Sequence, residues 1–271
     1  METAQNDFTM RVSMLGSSSS GNATYIETPK RKILVDAGFS GKKMKELLAG
    51  INRDINEIDS LFITHEHSDH IKGMGVLARK YDLNVYANEA TWQAIGSKVG
   101  VIPVEKQHVM EQGDILTLGD VDIVSYGVSH DAAEPQFYAF QKDDRQFTIL
   151  TDTGYVSDRL IGLLKNSDGY LIESNHDLDM LRMGAYPWSL KQRILGDEGH
   201  LSNDAGAQAM IDMIGDRTKR IYLGHLSKEN NMKTIAHQTC VSAMLQADMG
   251  VNDQFEVYDT NPDKPTSLYT L

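Results

Sequence analysis

Thr64-His65-Glu66-His67-Ser68-Asp69-His70 places four metal-capable side chains, His65, His67, Asp69 and His70, within six positions. The five residues before His65, Ser-Leu-Phe-Ile-Thr at 60–64, form a short apolar run bounded by polar residues. That is the pattern of a buried strand. Residues 71–81 carry apolar side chains at Ile71, Met74, Val76, Leu77 and Tyr81, a loose helical spacing. The cluster therefore sits on a strand-to-helix junction. Alternation along extended backbone sends His65, His67 and Asp69 to one side, and the turn into the helix brings His70 in from another direction. Imidazoles and a carboxylate suit zinc, iron or manganese. The donors outnumber what one open site uses, which implies two metals. Histidine-rich stretches are also found solvated or structural. The length of H-x-H-x-D-H after a buried strand, with Gly73 following, favours ligation.

These residues, His65-Glu66-His67-Ser68-Asp69-His70 and then Gly73, resemble the signature of the metallo-β-lactamase superfamily of dinuclear hydrolases. The resemblance implies an α/β (α+β) fold, a four-layer αββα sandwich with metals at one edge between two sheets. It also implies further ligands downstream.

The chain has 271 residues and no evident linker, so one domain over 1–271 is expected. A chain of this size buries roughly three quarters of its unfolded surface, enough for a large core. Composition is that of an ordinary globular protein, 41% hydrophobic and 24% charged. A net charge of −12 argues against coating nucleic acid or an anionic membrane over the whole surface, though not against a local basic patch. The one cysteine, Cys240, excludes an intramolecular disulfide and is expected to be buried and inert. Residues 1–7, Met-Glu-Thr-Ala-Gln-Asn-Asp, show no basic or apolar export signal, so a cytoplasmic location is expected. No stretch has the length of a membrane span, and no membrane partner is expected.

Gly16-Ser17-Ser18-Ser19-Ser20-Gly21-Asn22 reads as a polar loop between strands at 8–15 and 23–27. A tight turn there offers N–H groups and hydroxyls at a sheet end. In nucleases and phosphodiesterases of the resembled superfamily a similar loop lies near the metals, which makes Ser18 and Ser19 substrate-binding candidates. Asp36 ends a strand at 32–36, and the resemblance implies a structural hydrogen-bonding role for it. Ser40 and Gly50 mark the start and stop of a helix over 40–49. His130 follows a strand at 121–126; a lone histidine there is more often structural, but the resemblance makes it the third histidine ligand. Asp152, in Thr151-Asp152-Thr153-Gly154, follows a strand at 147–150. Such an aspartate commonly forms a turn; the resemblance makes it the bridge between two metals. His108 reads as surface or structural, and His176 is left without an assigned role.

Residues 180–194 combine Arg182, Lys191 and Arg193 with Tyr186 and Trp188. This is either a solvated helical face or a phosphate-binding rim with rings for base stacking. The three cations are substrate-binding candidates on the second reading. His200 and His225 each lie in a His-Leu-Ser segment, one before a helix capped by Ser202 and one after a strand.

By resemblance, His65, His67 and His130 hold one metal, Asp69, His70 and His225 the other, with Asp152 between. The implied cofactors are two divalent ions, Zn, Mn or Fe. Adjacent ions make a shared hydroxide available and stabilise charge on attacking and leaving oxygens. Asp69 would orient that hydroxide, and His200 would protonate the departing alkoxide. The Gly-Ser segment, Thr-Asp-Thr-Gly, Tyr-Pro-x-Ser-Leu-Lys-x-Arg-Ile and the two His-Leu-Ser segments resemble the YycJ/WalJ family over most of the chain. That resemblance implies a metal-dependent exonuclease in which a metal-bridging hydroxide cleaves phosphodiester bonds of a nucleic acid substrate, DNA. Drug-hydrolysing lactamases are normally exported, thioester hydrolases lack the Gly-Ser and paired His-Leu-Ser segments, and the mRNA-degrading branch has a large inserted domain. Two alternatives stay open: a small-molecule phosphodiesterase or esterase, which the acidic charge favours, and a metal-binding regulatory protein with little activity.

Overall fold

A computed structural model describes residues 8–271; the polar segment 1–7 searched for an export signal lies outside them. The first half contributes β1 (Arg11–Ser18), β2 (Gly21–Glu27), β3 (Lys32–Val35), α1 (Gly41–Ala49), β4 (Ser60–Phe62), α2 (Ser68–Ile71), α3 (Met74–Tyr81), β5 (Asn84–Ala87), α4 (Glu89–Ile95) and β6 (Gln107–Val109). The second contributes β7 (Ile115–Leu118), β8 (Val121–Gly127), β9 (Gln136–Lys142), β10 (Arg145–Leu150), α5 (Asp158–Leu164), β11 (Gly169–Glu173), α6 (Leu178–Met183), α7 (Trp188–Leu195), α8 (Asn203–Met213), β12 (Arg220–Gly224), α9 (Lys233–Gln246), β13 (Glu256–Asp259) and β14 (Tyr269–Thr270).

The strands form two mixed sheets, ordered β14-β1-β2-β3-β4-β5-β6 and β13-β12-β11-β10-β9-β8-β7. Apolar residues alternate between their two faces, as strand periodicity requires. Val12, Met14, Ile26 and Phe62 of the first sheet pack between the sheets against Tyr138, Phe140, Phe147 and Tyr222 of the second. The outer face of the first sheet is covered by Met44, Leu48, Met74 and Leu77 of α1 and α3. That of the second is covered by Leu164, Met210, Met213, Ala236 and Cys240 of α5, α8 and α9. The result is the expected αββα order. Cys240 is buried in this outer layer. Among the described residues no helix is long and apolar enough to cross a membrane.

Local structure departs from expectation in four places. The Gly-Ser segment is mostly strand: β1 continues to Ser18 and β2 begins at Gly21, leaving only Ser19 and Ser20 in the turn. Ser17 and Asn22 can be buried there because each is hydrogen-bonded, Ser17 Oγ donating to Asn22 Oδ1 at 3.2 Å. The helix expected at 71–81 is broken at Lys72 and Gly73 into α2 and α3, so Asp69 lies in a helix rather than on extended backbone. Residues 180–194 divide between α6 and α7, with Pro187 at the start of the second. His108 lies on β6, an edge strand whose exposed residues hid it from pattern reasoning, and its Nε2 is 2.9 Å from Asn84 Oδ1. The expected caps are present: Ser40 accepts from Lys43 N and Ser202 from Ala205 N.

The turn between β3 and α1 is pressed against the metal-bearing segment. A Cβ added at Gly38 would lie 1.8 Å from the Asp69 carbonyl oxygen and 2.5 Å from Asn22 N. Both contacts are to backbone, which cannot swing aside. Overpacking of this kind costs about 1–3 kcal/mol. Gly38→Ala should therefore lower the urea midpoint by that equivalent and weaken metal binding by displacing Asp69; an unchanged midpoint and metal affinity would refute the argument.

Candidate metal centre

Most of the candidate side chains lie where strands end at one edge of the sandwich. Asp36 follows β3, and His65 and His67 follow β4, while α2 carries Asp69 and His70. His130 follows β8, Asp152 follows β10, Glu173 ends β11 and His225 follows β12. Asp36, Asp152 and His225 have φ of 62°, 59° and 56°. The left-handed region is uncommon for residues other than glycine, and it reverses the chain so that the side chain leaves the strand direction.

Buried partners fix the histidines one nitrogen at a time. A carboxylate accepts and cannot donate, so His70 Nδ1 donates to Asp36 Oδ2 at 2.7 Å. Thr64 Oγ1 also donates to Asp36, at 3.0 Å, and His65 Nδ1 then donates to Thr64 Oγ1 at 3.0 Å. His130 Nδ1 donates to the Gly199 carbonyl at 3.1 Å. Glu173 Oε1 accepts from His200 Nδ1 at 2.7 Å and from His225 Nδ1 at 2.9 Å. Its other oxygen accepts from Thr153 N and Leu201 N at 3.0 and 3.2 Å. Each ring is left with Nε2 for the centre, the arrangement that orients metal-binding histidines.

The ligating atoms of His65, His67 and His130 lie within 4.8 Å of one another, as do those of Asp69, His70 and His225. Asp152 joins both groups: its Oδ2 is 3.4 Å from His70 Nε2, and its Oδ1 is 3.2 Å from His225 Nε2 and 3.8 Å from His130 Nε2. His65 Nε2 and Asp152 Oδ2 are buried with no hydrogen-bond partner. Orphaned atoms of that kind are costly unless something binds them, and a nitrogen and a carboxylate oxygen are what divalent cations take. The seven residues therefore fit a pair of metal ions. Glu173, although close to Asp152 and His225, already has both oxygens engaged and serves as the acceptor behind the ligands.

Charge balance agrees. Burial opposes protonation of His225, but Asp152, Asp69 and Glu173 outweigh it and lift its pKa to about 10. Burial likewise opposes protonation of His70, where Asp152, Asp36 and Asp69 prevail and raise the pKa well above normal. His65 goes the other way: burial and the neighbouring imidazoles push it well below the usual value. Without metal, protons occupy part of the centre, so metal binding must displace them.

The centre opens into a pocket of about 290 Å³. Of the substrate-binding candidates Ser19 and Arg193 line it, together with Tyr186 and the acid candidate His200. Three others do not. Ser18 is buried, and its Oγ accepts from Ser20 N at 3.2 Å. Lys191 is buried, and its Nζ donates to the Arg182 and Gly184 carbonyls, both at 2.7 Å, which clamps α7 to the end of α6. Arg182 is exposed outside the pocket lining, as is Trp188, 63% exposed. The break at 184–187 puts Arg182 on one helix and Trp188 and Lys191 on the next. His176 is buried with both ring nitrogens unpaired, and burial lowers its pKa to about 4. A larger groove of about 520 Å³ lies by Tyr126, Tyr155 and Leu163 and is lined by none of the seven ligand candidates.

Glu173, Asn22 and Asp131 were not singled out by sequence. Asn22 Nδ2 lies 3.2 Å from His70 Nε2 and 3.3 Å from Asp69 Oδ2, so the Gly-Ser segment touches the metal-facing atoms of these two residues. A strand ending in a buried glutamate, as in Leu171-Ile172-Glu173, was the available signal. Loss of such a supporting partner typically costs about 10–100-fold in metal affinity. Glu173→Gln should show that loss in a chelator-competition titration; full metal affinity would contradict the role given to Glu173.

Comparison with known proteins places this geometry. The beta-lactamase superfamily domain profile matches residues 31–226. The chain is 60% identical over 260 residues to the Exodeoxyribonuclease WalJ of Streptococcus pneumoniae serotype 2, covering 95% of this chain and 97% of that protein. It is 51% identical to the Exodeoxyribonuclease YycJ of Bacillus anthracis, covering 96% of this chain and 98% of that protein. Among solved structures, the metallo-beta-lactamase fold protein YhfI from Bacillus subtilis superposes with a TM-score of 0.72 at 16% identity, covering 95% of this chain and 99% of that one. The chain belongs to the beta-lactamase superfamily and, within it, to the WalJ/YycJ family.

Proposed function

We propose that the chain is a dinuclear metal-dependent phosphodiesterase that removes nucleotides from DNA ends, acting as one domain in the cytosol. The observation that carries the chemistry is the pair of ligand groups sharing Asp152, with His200 beside them in the same pocket. The near full-length relatives named exodeoxyribonucleases support DNA as the substrate. A single buried cysteine accords with a reducing compartment. His65, His67 and His130 would hold one ion, Asp69, His70 and His225 the other, and Asp152 both. Zinc, manganese and iron all suit this donor set. Two such ions, when bound, supply Lewis acidity to the phosphate and a hydroxide nucleophile at neutral pH.

The protein side chains supply the remaining functions. Asp69 faces the pocket with its carboxyl held far below the usual range: burial alone would raise it, but His70 and His225 prevail. It remains ionised to ligate a cation and orient the nucleophile. His200 has Nδ1 committed to Glu173, which leaves Nε2 to protonate the departing alkoxide. Burial opposes the protonated form of His200, and Glu173 more than restores it, so the ring carries its proton nearer neutrality. Arg193, Ser19 and Tyr186 line the pocket; the first two would touch phosphate oxygens and Tyr186 would stack on a base.

Metal analysis of the purified protein with assays on DNA, RNA, a cyclic nucleotide and a thioester tests the reading. Two ions per chain and degradation of DNA are expected; fewer than two ions, or preference for another substrate, would overturn it. His200 and His225 separate acid from ligand. His200→Ala should keep its metals, lose about 10²–10⁴-fold on DNA, and lose far less on bis(p-nitrophenyl) phosphate, whose leaving group needs no proton. His225→Ala should lose metal and both activities. Metal loss in His200→Ala, or equal rate losses on the two substrates, would show that His200 is not the acid.

A further inference from the structure

The loop after β8 carries a carboxylate that the seven-ligand set leaves out. Asp131 directly follows His130 and lines the pocket with His67, His130 and Arg193. Its Oδ2 forms an ion pair with Arg193 Nε. Its Oδ1 lies 3.5 Å from His130 Nε2 and 4.0 Å from His67 Nε2. Both rings belong to the group of His65, His67 and His130. Donor atoms about 2.1 Å from one ion lie roughly 3–3.5 Å from each other. The other proposed ligands have similar spacing: Asp152 oxygens lie 3.4 Å from His70 Nε2, 3.2 Å from His225 Nε2 and 3.8 Å from His130 Nε2. Asp131 Oδ1 falls within that range of His130 and just beyond it from His67. The backbone that presents it is tied down at several points. Asp131 N donates to the Glu198 carbonyl at 3.1 Å, Ala133 N to Glu66 Oε1 at 2.9 Å, and Asn88 Nδ2 to the Glu134 carbonyl at 2.6 Å.

Charge points the same way. One group has a carboxylate of its own, Asp69 beside His70 and His225, whereas the other consists of three imidazoles. Asp131 supplies the carboxylate that the second group lacks. We propose that Asp131 is a further oxygen donor to the ion held by His65, His67 and His130, with its outer oxygen kept by Arg193. The inference rests on the two-ion reading and adds a donor to one of the two positions. The added donor has a chemical consequence. Zinc is content with four donors, many of them nitrogen, while manganese takes more donors and more oxygen. Loss of Asp131 should therefore be felt more by manganese than by zinc. A residue that only contributed negative charge, or only aimed Arg193, would not separate the two metals in this way.

Metal binding tests this without any assay of activity. Metal-free full-length protein is titrated with Mn²⁺, the free ion being counted by its electron paramagnetic resonance signal, and with Zn²⁺ against a chelator. The wild type should bind two ions of either metal. Asp131→Ala should hold one Mn²⁺ as the wild type does and the other at least about 10-fold more weakly, with a smaller loss for Zn²⁺. Asp131→Asn, which keeps the shape of the side chain, should weaken the same ion and serves if the alanine variant does not fold. Arg193→Ala removes the ion-pair partner but leaves the carboxylate, so it should not weaken Mn²⁺ binding. Unchanged Mn²⁺ affinities in the Asp131 variants would overturn the proposal. Equal losses of Mn²⁺ and Zn²⁺ would overturn it as well, since lost charge without lost coordination gives that result. The same weakening in Arg193→Ala would show that Asp131 acts only through Arg193, and would also overturn it. Each of these results leaves the two-ion reading intact, whereas a wild type that binds fewer than two ions of either metal would overturn both.

Discussion

An imidazole has two nitrogens, and for His65, His70, His130, His200 and His225 the fold commits one of them to a buried acceptor. Asp36 takes the Nδ1 proton of His70 directly and orients His65 through Thr64. Glu173 takes those of His200 and His225, and the Gly199 carbonyl that of His130. The constraint is one of tautomer: were Nδ1 free, the ring could turn and the ligand atom would be lost. Two carboxylates, Asp36 and Glu173, thus organise four histidines drawn from widely separated parts of the chain. Neither belongs to the seven proposed ligands, yet the directions of those ligands depend on both.

The same arrangement explains why the residues sit at strand ends. A strand interior would leave a charged side chain between packed apolar layers, at large desolvation cost. At the edge, the backbone can leave the sheet through a left-handed residue, as at Asp36, Asp152 and His225. Carbonyls released by the turn find partners in the other sheet: Gln136 N donates to the Thr64 carbonyl, and Tyr138 Oη to that of Ile63. At His225 the left-handed residue is itself tied across the sandwich, since its N donates to Ser17 Oγ of the first sheet at 2.8 Å.

Much of this was legible in the sequence, and the reason is locality. Four ligands fall between His65 and His70, and the strand before them is short and apolar. His130, Asp152 and His225 each follow an apolar strand, so their placement at one sheet edge could be anticipated with the family resemblance. The pairing of Glu173 could not, because its partners His200 and His225 are 27 and 52 residues away. Lys191 was misjudged for a related reason. Its charge suggested phosphate, but the break before α7 turns it inward onto two carbonyls. A cation that caps a helix and one that meets a ligand look alike until the chain's path between helices is known.

The two sheets contribute unequally but jointly to the centre. His65, His67, Asp69 and His70 come from the first, while His130, Asp152 and His225 come from the second. Ions held by such a set act as cross-links between the halves, in the way that a disulfide staples two strands in an exported protein. A chain whose single cysteine is buried has no such staple of its own. Its cohesion then varies with the metal supply, since a ligand that binds only the folded state stabilises that state by mass action. Scarcity of metal would loosen the sandwich at the edge where the ligands meet, so catalysis and resistance to unfolding would decline together.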